Sequence, residues 1–154
     1  MADAIGEATI INTAQLDRLV AHLRSCGRFA FDTEFVSEDT FEPVLCLIQV
    51  ATREEIVVID PFQVRDLSAF WDVATDPSVQ VVMHAAGEDL RICLMRAGKL
   101  PASVFDVQLA AGLAGLSYPL SLVNLVGQVL GITLAGSETR TDWRRRPLSA
   151  AQVQ

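Results

Sequence analysis

Residues 29–35, Phe-Ala-Phe-Asp-Thr-Glu-Phe, constrain the fold more than any other stretch of the chain. Strand side chains alternate sides with period 2, which puts Phe29, Phe31, Thr33 and Phe35 on one face and Ala30, Asp32 and Glu34 on the other. The aromatic face requires a core. The acidic face cannot be packed against one, because two carboxylates roughly 6.6 Å apart along a strand repel each other and lose hydration when covered. Such a strand belongs in a sheet with one packed side and one side left to water, to hydrogen-bond donors or to a cation. This strand alone is equally compatible with a hydrated acidic face and with a metal site.

With 154 residues, 51% of them apolar, the chain can bury a full core, and residues 1–154 are expected to form one domain. No apolar run approaches the roughly 18 residues of a membrane span. Met1-Ala2-Asp3-Ala4 also lacks the basic start of a signal peptide, so a cytoplasmic protein with no membrane partner is expected. Cys26, Cys46 and Cys93 are odd in number, widely spaced and set in apolar surroundings, which reads as reduced core thiols. The net charge of −7 opposes non-specific nucleic-acid binding, but the charge is uneven. Sixteen of the nineteen acids precede residue 101, whereas Arg140, Arg144, Arg145 and Arg146 are opposed locally only by Asp142. That cluster suits phosphate contacts if it borders a groove, and is otherwise a solvated loop.

In chain order, Ala8-Thr9-Ile10-Ile11 reads as a short strand. Thr13 then caps a helix carrying Leu16, Leu19, Val20 and Leu23 on one face, which Gly27 stops. After the acidic strand, Val44–Val50 and Ile56–Asp60 are strands joined by a short turn, so an antiparallel meander is expected with the acidic strand at one end. The pattern then changes to a helix over 67–74, a strand over 79–83 and a helix over 88–97 with Leu90, Cys93, Leu94 and Ala97 inward. Such alternation implies parallel additions to the same sheet. Val104-Phe105 is a further strand, Asp106 caps a helix over 107–116, and Ser121 caps one over 122–130 that ends at Gly131. Ser149 and Gln152 form the pattern of a capping box, with Leu148 and Val153 spaced for a hydrophobic staple, so a helix starts there.

His84-Ala85-Ala86-Gly87-Glu88-Asp89 joins a strand to a helix through small residues and sets Asp89 in the first helical turn, where the helix dipole favours a carboxylate. His84 is open to reading as a base, a ligand or a loop residue. A strand with two acids and a junction with a third make an all-oxygen donor set, which suits Mg²⁺ or Mn²⁺ and not zinc.

These segments resemble the ribonuclease D group of 3′-5′ exonucleases. Phe31-Asp32-Thr33-Glu34-Phe35 is similar to the group's first motif, and His84, Ala86 and Asp89 to its second, His-x-Ala-x-x-Asp. Thr40–Pro43, Leu45–Gln49, Phe105-Asp106 with Gln108, and Asp142-Trp143 with Arg146–Ser149 and Gln152 resemble segments that follow. The resemblance implies an α/β, ribonuclease H-like mixed sheet, an antiparallel meander plus parallel strands, flanked by helices. It implies a two-metal site of Mg²⁺ or Mn²⁺, with Asp32 bridging both ions, Glu34 on the ion that activates water, and Asp89 positioning the second. It also implies hydrolysis at the 3′ end of RNA, or of single-stranded DNA, with Thr33, Phe41, His84, Arg144 and Arg145 as candidate nucleic-acid contacts. Val107 stands where the group usually has Thr, and Leu134–Ser137 where it usually has a Lys. The group's third motif, Tyr-x-x-x-Asp, is expected on the helix that begins at Ser149, past Gln154, so residues 1–154 read as a C-terminally incomplete domain of impaired activity. A catalytically silent domain that binds nucleic acid or a partner is the alternative, and a purely structural domain with hydrated acids is a third.

Overall fold

The acidic strand lies inside the sheet. The computed structural model describes residues 9–37, 42–134, 141–149 and 152, and contains a six-stranded mixed sheet of order β1-β4-β3-β2-β5-β6. The strands are β1 (Thr9–Ile11), β2 (Arg28–Val36), β3 (Val44–Ala51), β4 (Ile56–Ile59), β5 (Gln80–Met83) and β6 (Val104–Asp106). The helices are α1 (Thr13–Cys26), α2 (Ser68–Ala74), α3 (Gly87–Ala97), α4 (Val107–Leu113) and α5 (Leu122–Leu130). β2, β3 and β4 form the expected antiparallel meander, and β5 and β6 extend the sheet in parallel from the other side of β2. β1 pairs in parallel with β4.

Strand alternation sorts the two faces as the sequence requires. Phe29, Phe31, Ile48, Val50, Val57, Ile59, Val81 and Met83 are buried against α1, α2 and α3. Phe29, Phe31, Phe70 and Trp71 make an aromatic nucleus there, with Phe31 edge-on to Phe70 at 5.7 Å and Phe70 to Trp71 at 5.0 Å. Asp32, Glu34 and Val58 alternate onto the opposite face. A second cluster covers part of that face: Cys46, Leu47 and Val58 pack with Trp143, and Val44 and Leu148 border them. Between Glu34 and Phe35 the register skips Cys46, a bulge that lets both Cys46 and Leu47 be buried.

Several expectations shift. Asn12, and not Thr13, caps α1, through a capping box with Gln15. Cys26 is exposed, with its Sγ 3.5 Å from Nε2 of His22, while Cys46 and Cys93 are buried and free as expected. Leu94 is 48% exposed, because burial of Asp89, Ile92 and Cys93 sets the phase of α3 and turns position 94 outward. α4 ends at Leu113, not at 116, and Gly115 at φ 93° carries the chain away. The capping box at Ser149 and Gln152 forms in both directions, whereas the staple residue Val153 lies outside the described residues. Among the described residues no helix is long and apolar enough to cross a membrane.

Candidate active site

β2 and β5 pair only as far as Ala30 and Val82. Beyond that point the two strands part and the start of α3 enters the gap. Oδ1 of Asp89 accepts the backbone N–H of Thr33 at 2.8 Å and the Thr33 hydroxyl at 2.7 Å. Thr33 is 6% exposed and Asp89 7%, so this junction is internal. Thr33, expected to touch nucleic acid, therefore uses both of its donors to fix Asp89 across the strand-helix gap.

The three acids that the sequence singled out act on one another here. Burial, followed by the charge of Asp89, pushes the Asp32 carboxyl up to about 6, against an opposing effect of His84 and of the Thr33 N–H. Asp32 retains an open edge to solvent, so this desolvation comes from protein walls around an accessible group. Burial, then Asp32, then Asp89 push Glu34 up to about 7. Asp89 is also raised, chiefly by burial, although both Thr33 donors favour its charged form. Among the described residues this negative charge has no Lys or Arg beside it in the causes that set these three carboxyls, and His84 is the only side chain that opposes it at Asp32.

Supporting bonds hold the junction before α3. Ala85 has φ 54°, a left-handed conformation costly for a residue with a Cβ. Asp106 stabilises it: its carboxylate accepts the N–H groups of Ala85 at 3.2 Å and Ala86 at 3.0 Å, while capping α4 through Gln108 at 2.8 Å and Leu109 at 3.4 Å. Burial alone would raise the Asp106 carboxyl, but these donors outweigh it and hold it below the usual range. His84 Nε2 lies 2.8 Å from the carbonyl of Leu120, which also accepts from Gln108 Nε2 at 3.0 Å. A carbonyl only accepts, so the His84 proton in this bond resides on Nε2. The sequence marked Asp106 as a helix cap, but its partners at 85 and 86 are too distant in sequence to be read there.

The basic cluster splits. Arg146 forms a forked pair with Asp60, Nε to Oδ2 at 2.6 Å and Nη2 to Oδ1 at 2.8 Å, and also donates to the carbonyls of Trp143 and Cys46. Asp60 is 1% exposed; burial would raise its carboxyl, but Arg146, Phe62 and Gln63 outweigh this and lower it. The pair fastens the Trp143 segment to β3 and β4, a role that the local sequence of Asp60 does not signal. Arg144 bonds Asp142 at 2.9 Å and Arg145 lies 3.9 Å from the same carboxylate, both exposed. Phe41 and Arg140 lie outside the described residues.

Among the described residues no three His, Cys, Asp or Glu side chains are gathered tightly enough to close on one ion. The donor chemistry nevertheless fits a hard divalent cation: Asp32, Glu34 and Asp89 supply oxygen alone, and each carboxyl is raised by charge or burial that a cation would offset.

Residues 8–154 match a family described as 3′-5′ exonuclease. The chain belongs to the 3′-5′ exonuclease family. Its relatives include ribonuclease D of Pseudomonas paraeruginosa, 40% identical over 145 residues, covering 94% of this chain and 39% of that protein. Ribonuclease D of Escherichia coli K12 is 37% identical over 139 residues, covering 90% of the chain and 37% of the relative. The crystal structure of Escherichia coli RNase D, described as an exoribonuclease involved in structured RNA processing, superposes with a TM-score of 0.88 at 35% identity over 96% of this chain and 40% of that one. The catalytic core of RRP6 from Trypanosoma brucei gives 0.85 at 27% identity, over 95% of this chain and 41% of its own. The sheet is thus the ribonuclease H-like exonuclease fold, and the chain spans about two fifths of the curated relatives' length.

Proposed function

We propose that this exonuclease domain removes nucleotides one at a time from the 3′ end of single-stranded RNA, using Asp32, Glu34 and Asp89 as ligands for Mg²⁺ or Mn²⁺. The observation that supports this most is the elevation of Asp32 by burial and Asp89, and of Glu34 by burial, Asp32 and Asp89, in a fold shared with ribonuclease D. When bound, two divalent ions supply the charge that activates water and stabilises the leaving 3′ oxygen of a phosphodiester. Asp32, Glu34 and Asp89 would hold these ions: Asp32 would serve both, Glu34 the one that activates water and Asp89 the one that stabilises the leaving group. Thr33 holds Asp89 in a single orientation, so its influence on the nucleic acid passes through that carboxylate. His84, bonded to the Leu120 carbonyl and near enough to Asp32 to act on its charge, is assigned to the terminal nucleotide, with Phe41 as an aromatic partner. Arg144 and Arg145 carry what remains of the expected basic patch.

Residues 1–154 contribute three carboxylates to a site that the resemblance completes with Tyr-x-x-x-Asp, so a polypeptide of these residues alone is expected to turn over weakly. The test is digestion of a 5′-labelled single-stranded RNA, and of the matching DNA, in Mn²⁺. The proteins compared are this polypeptide, its Asp32→Ala variant and a form extended by a relative's next helix. A ladder shortening from the 3′ end, faster with RNA, stronger in the extended form and lost in Asp32→Ala, is expected. Internal cleavage, shortening from the 5′ end, or a ladder unaffected by Asp32→Ala would overturn the reading.

A further inference from the structure

An acidic chain must supply cations locally if it is to hold a polyanion near three carboxylates. The arginine cluster that the sequence offers is largely occupied, since Arg146 is bound to Asp60, and Arg144 and Arg145 share Asp142. A second basic feature is visible only in three dimensions. A groove of about 520 Å³ runs past Pro43, Pro61, Phe62 and Trp71, with Arg65 and Arg96 on its walls. Among the described residues Arg65 enters no ion pair, and Arg96 donates only to the neutral carbonyl of Pro43, at 3.4 Å. Glu42 is the one acid among the lining residues.

Three relations connect this groove to the acidic site. Its wall includes Val44 and Leu45, which pair with Val36 and Phe35 at the end of β2 that follows Glu34; Leu45 packs in the core and Val44 against the Trp143 cluster, so the groove lies at that end of the sheet, where its two faces meet. Asp89 and Arg96 stand seven residues apart on α3, which places them on one helical stripe, two turns or roughly 10 Å apart. Phe62 lines the groove, is 42% exposed, and carries the Arg146 guanidinium 4.9 Å from its ring centroid.

We infer that this groove is the path of the nucleotides upstream of the 3′ end, with phosphates contacted by Arg65 and Arg96 and an unstacked base resting on Phe62. The inference rests on the exonuclease reading for its polarity. The combination of guanidinium groups and a partly exposed aromatic ring suits a single strand, whose bases are free to stack on protein; a duplex keeps them inside. The arrangement also makes affinity depend on strand length, since a strand that extends along the groove gains contacts with both arginines.

The experiment is fluorescence anisotropy of a labelled oligouridylate dodecamer in EDTA over a range of salt, with the unaltered chain, the double variant Arg65→Gln/Arg96→Gln, and Arg53→Gln as a control in the turn between β3 and β4. Both groove arginines are exposed, so an unchanged melting temperature verifies folding. The double variant is expected to bind about tenfold or more weakly, and its salt slope to fall by about 1.4, since each lost single-strand phosphate contact removes about 0.7. Arg53→Gln should retain affinity and slope. Equal affinity and slope in the double variant, or no binding by the unaltered chain, overturns the inference. Mn²⁺-dependent cleavage of a dinucleotide by the form extended with a relative's next helix, measured alongside, judges the exonuclease reading separately. If cleavage is present while the groove effect is absent, only the groove inference fails; if both are absent, both fail.

Discussion

Asp32 and Glu34 are single residues whose protonation sets how the metal-free fold responds to pH. Their carboxyls lie near 6 and 7 in the fold, against ordinary values of 3.8 and 4.5. A raised acid binds its proton more tightly folded than unfolded, so its stabilising contribution is present below the unfolded value and is lost as pH rises through the folded one. The metal-free chain should therefore lose stability between about pH 4 and pH 7. Asp32→Asn should raise the melting temperature at about pH 8 by about 2–4 °C, equivalent to about 1 kcal/mol once the open edge of Asp32 is discounted for screening, and should change it little at about pH 4. Melts at the two pH values check this. Thr33→Val leaves the backbone donor to Asp89 but removes the hydroxyl, and should cost about 1–2 kcal/mol in denaturant unfolding. The pairing of acids on one strand face was legible from alternation alone, because period 2 is a local property. Their link through Thr33 to Asp89 joins positions 56 apart in sequence, and no local pattern carries it.

At the scale of elements, two anchors act at a distance. Asp106 ties the loop before α3 to the start of α4, so Asp106→Ala removes a helix cap and the bonds that hold the left-handed Ala85. A loss of about 2 kcal/mol is expected, with Asp106→Asn recovering part of it through its remaining carbonyl oxygen. Arg146 and Asp60 tie the Trp143 segment to the sheet. Arg146→Ala strands a buried carboxylate and should cost about 3 kcal/mol or more by denaturant titration, whereas Asp60→Asn/Arg146→Met together should cost less than Arg146→Ala. The order of strands and helices, the meander and the caps at Asp106 and Ser121 were readable because each rests on neighbours in sequence. The inward face of α3 was misread at Leu94 because apolarity suggested one phase and the buried carboxylate of Asp89 imposed another. Cys26 was misread for a related reason: apolar neighbours in sequence do not bury the last residue of a helix that ends at an exposed turn.

At the scale of the whole molecule, one face of the sheet carries the core and the other carries the chemistry. The aromatic nucleus and α1–α3 close the first; the Trp143 segment covers only part of the second, leaving Asp32 accessible. The arginine run near residue 144 looked in sequence like the phosphate site, yet the fold binds Arg146 into the core of that segment and leaves Arg65 and Arg96 beside a groove. The central claim, that Asp32, Glu34 and Asp89 are a cation site, is tested most directly by titrating Mn²⁺ at about pH 8 while following the melting temperature of the chain and of Asp32→Asn/Glu34→Gln. A saturable rise in the unaltered chain, worth about 2.7 kcal/mol at one hundred times the dissociation constant and absent from the variant, is the expected result. No rise, or the same rise in both proteins, would contradict the claim.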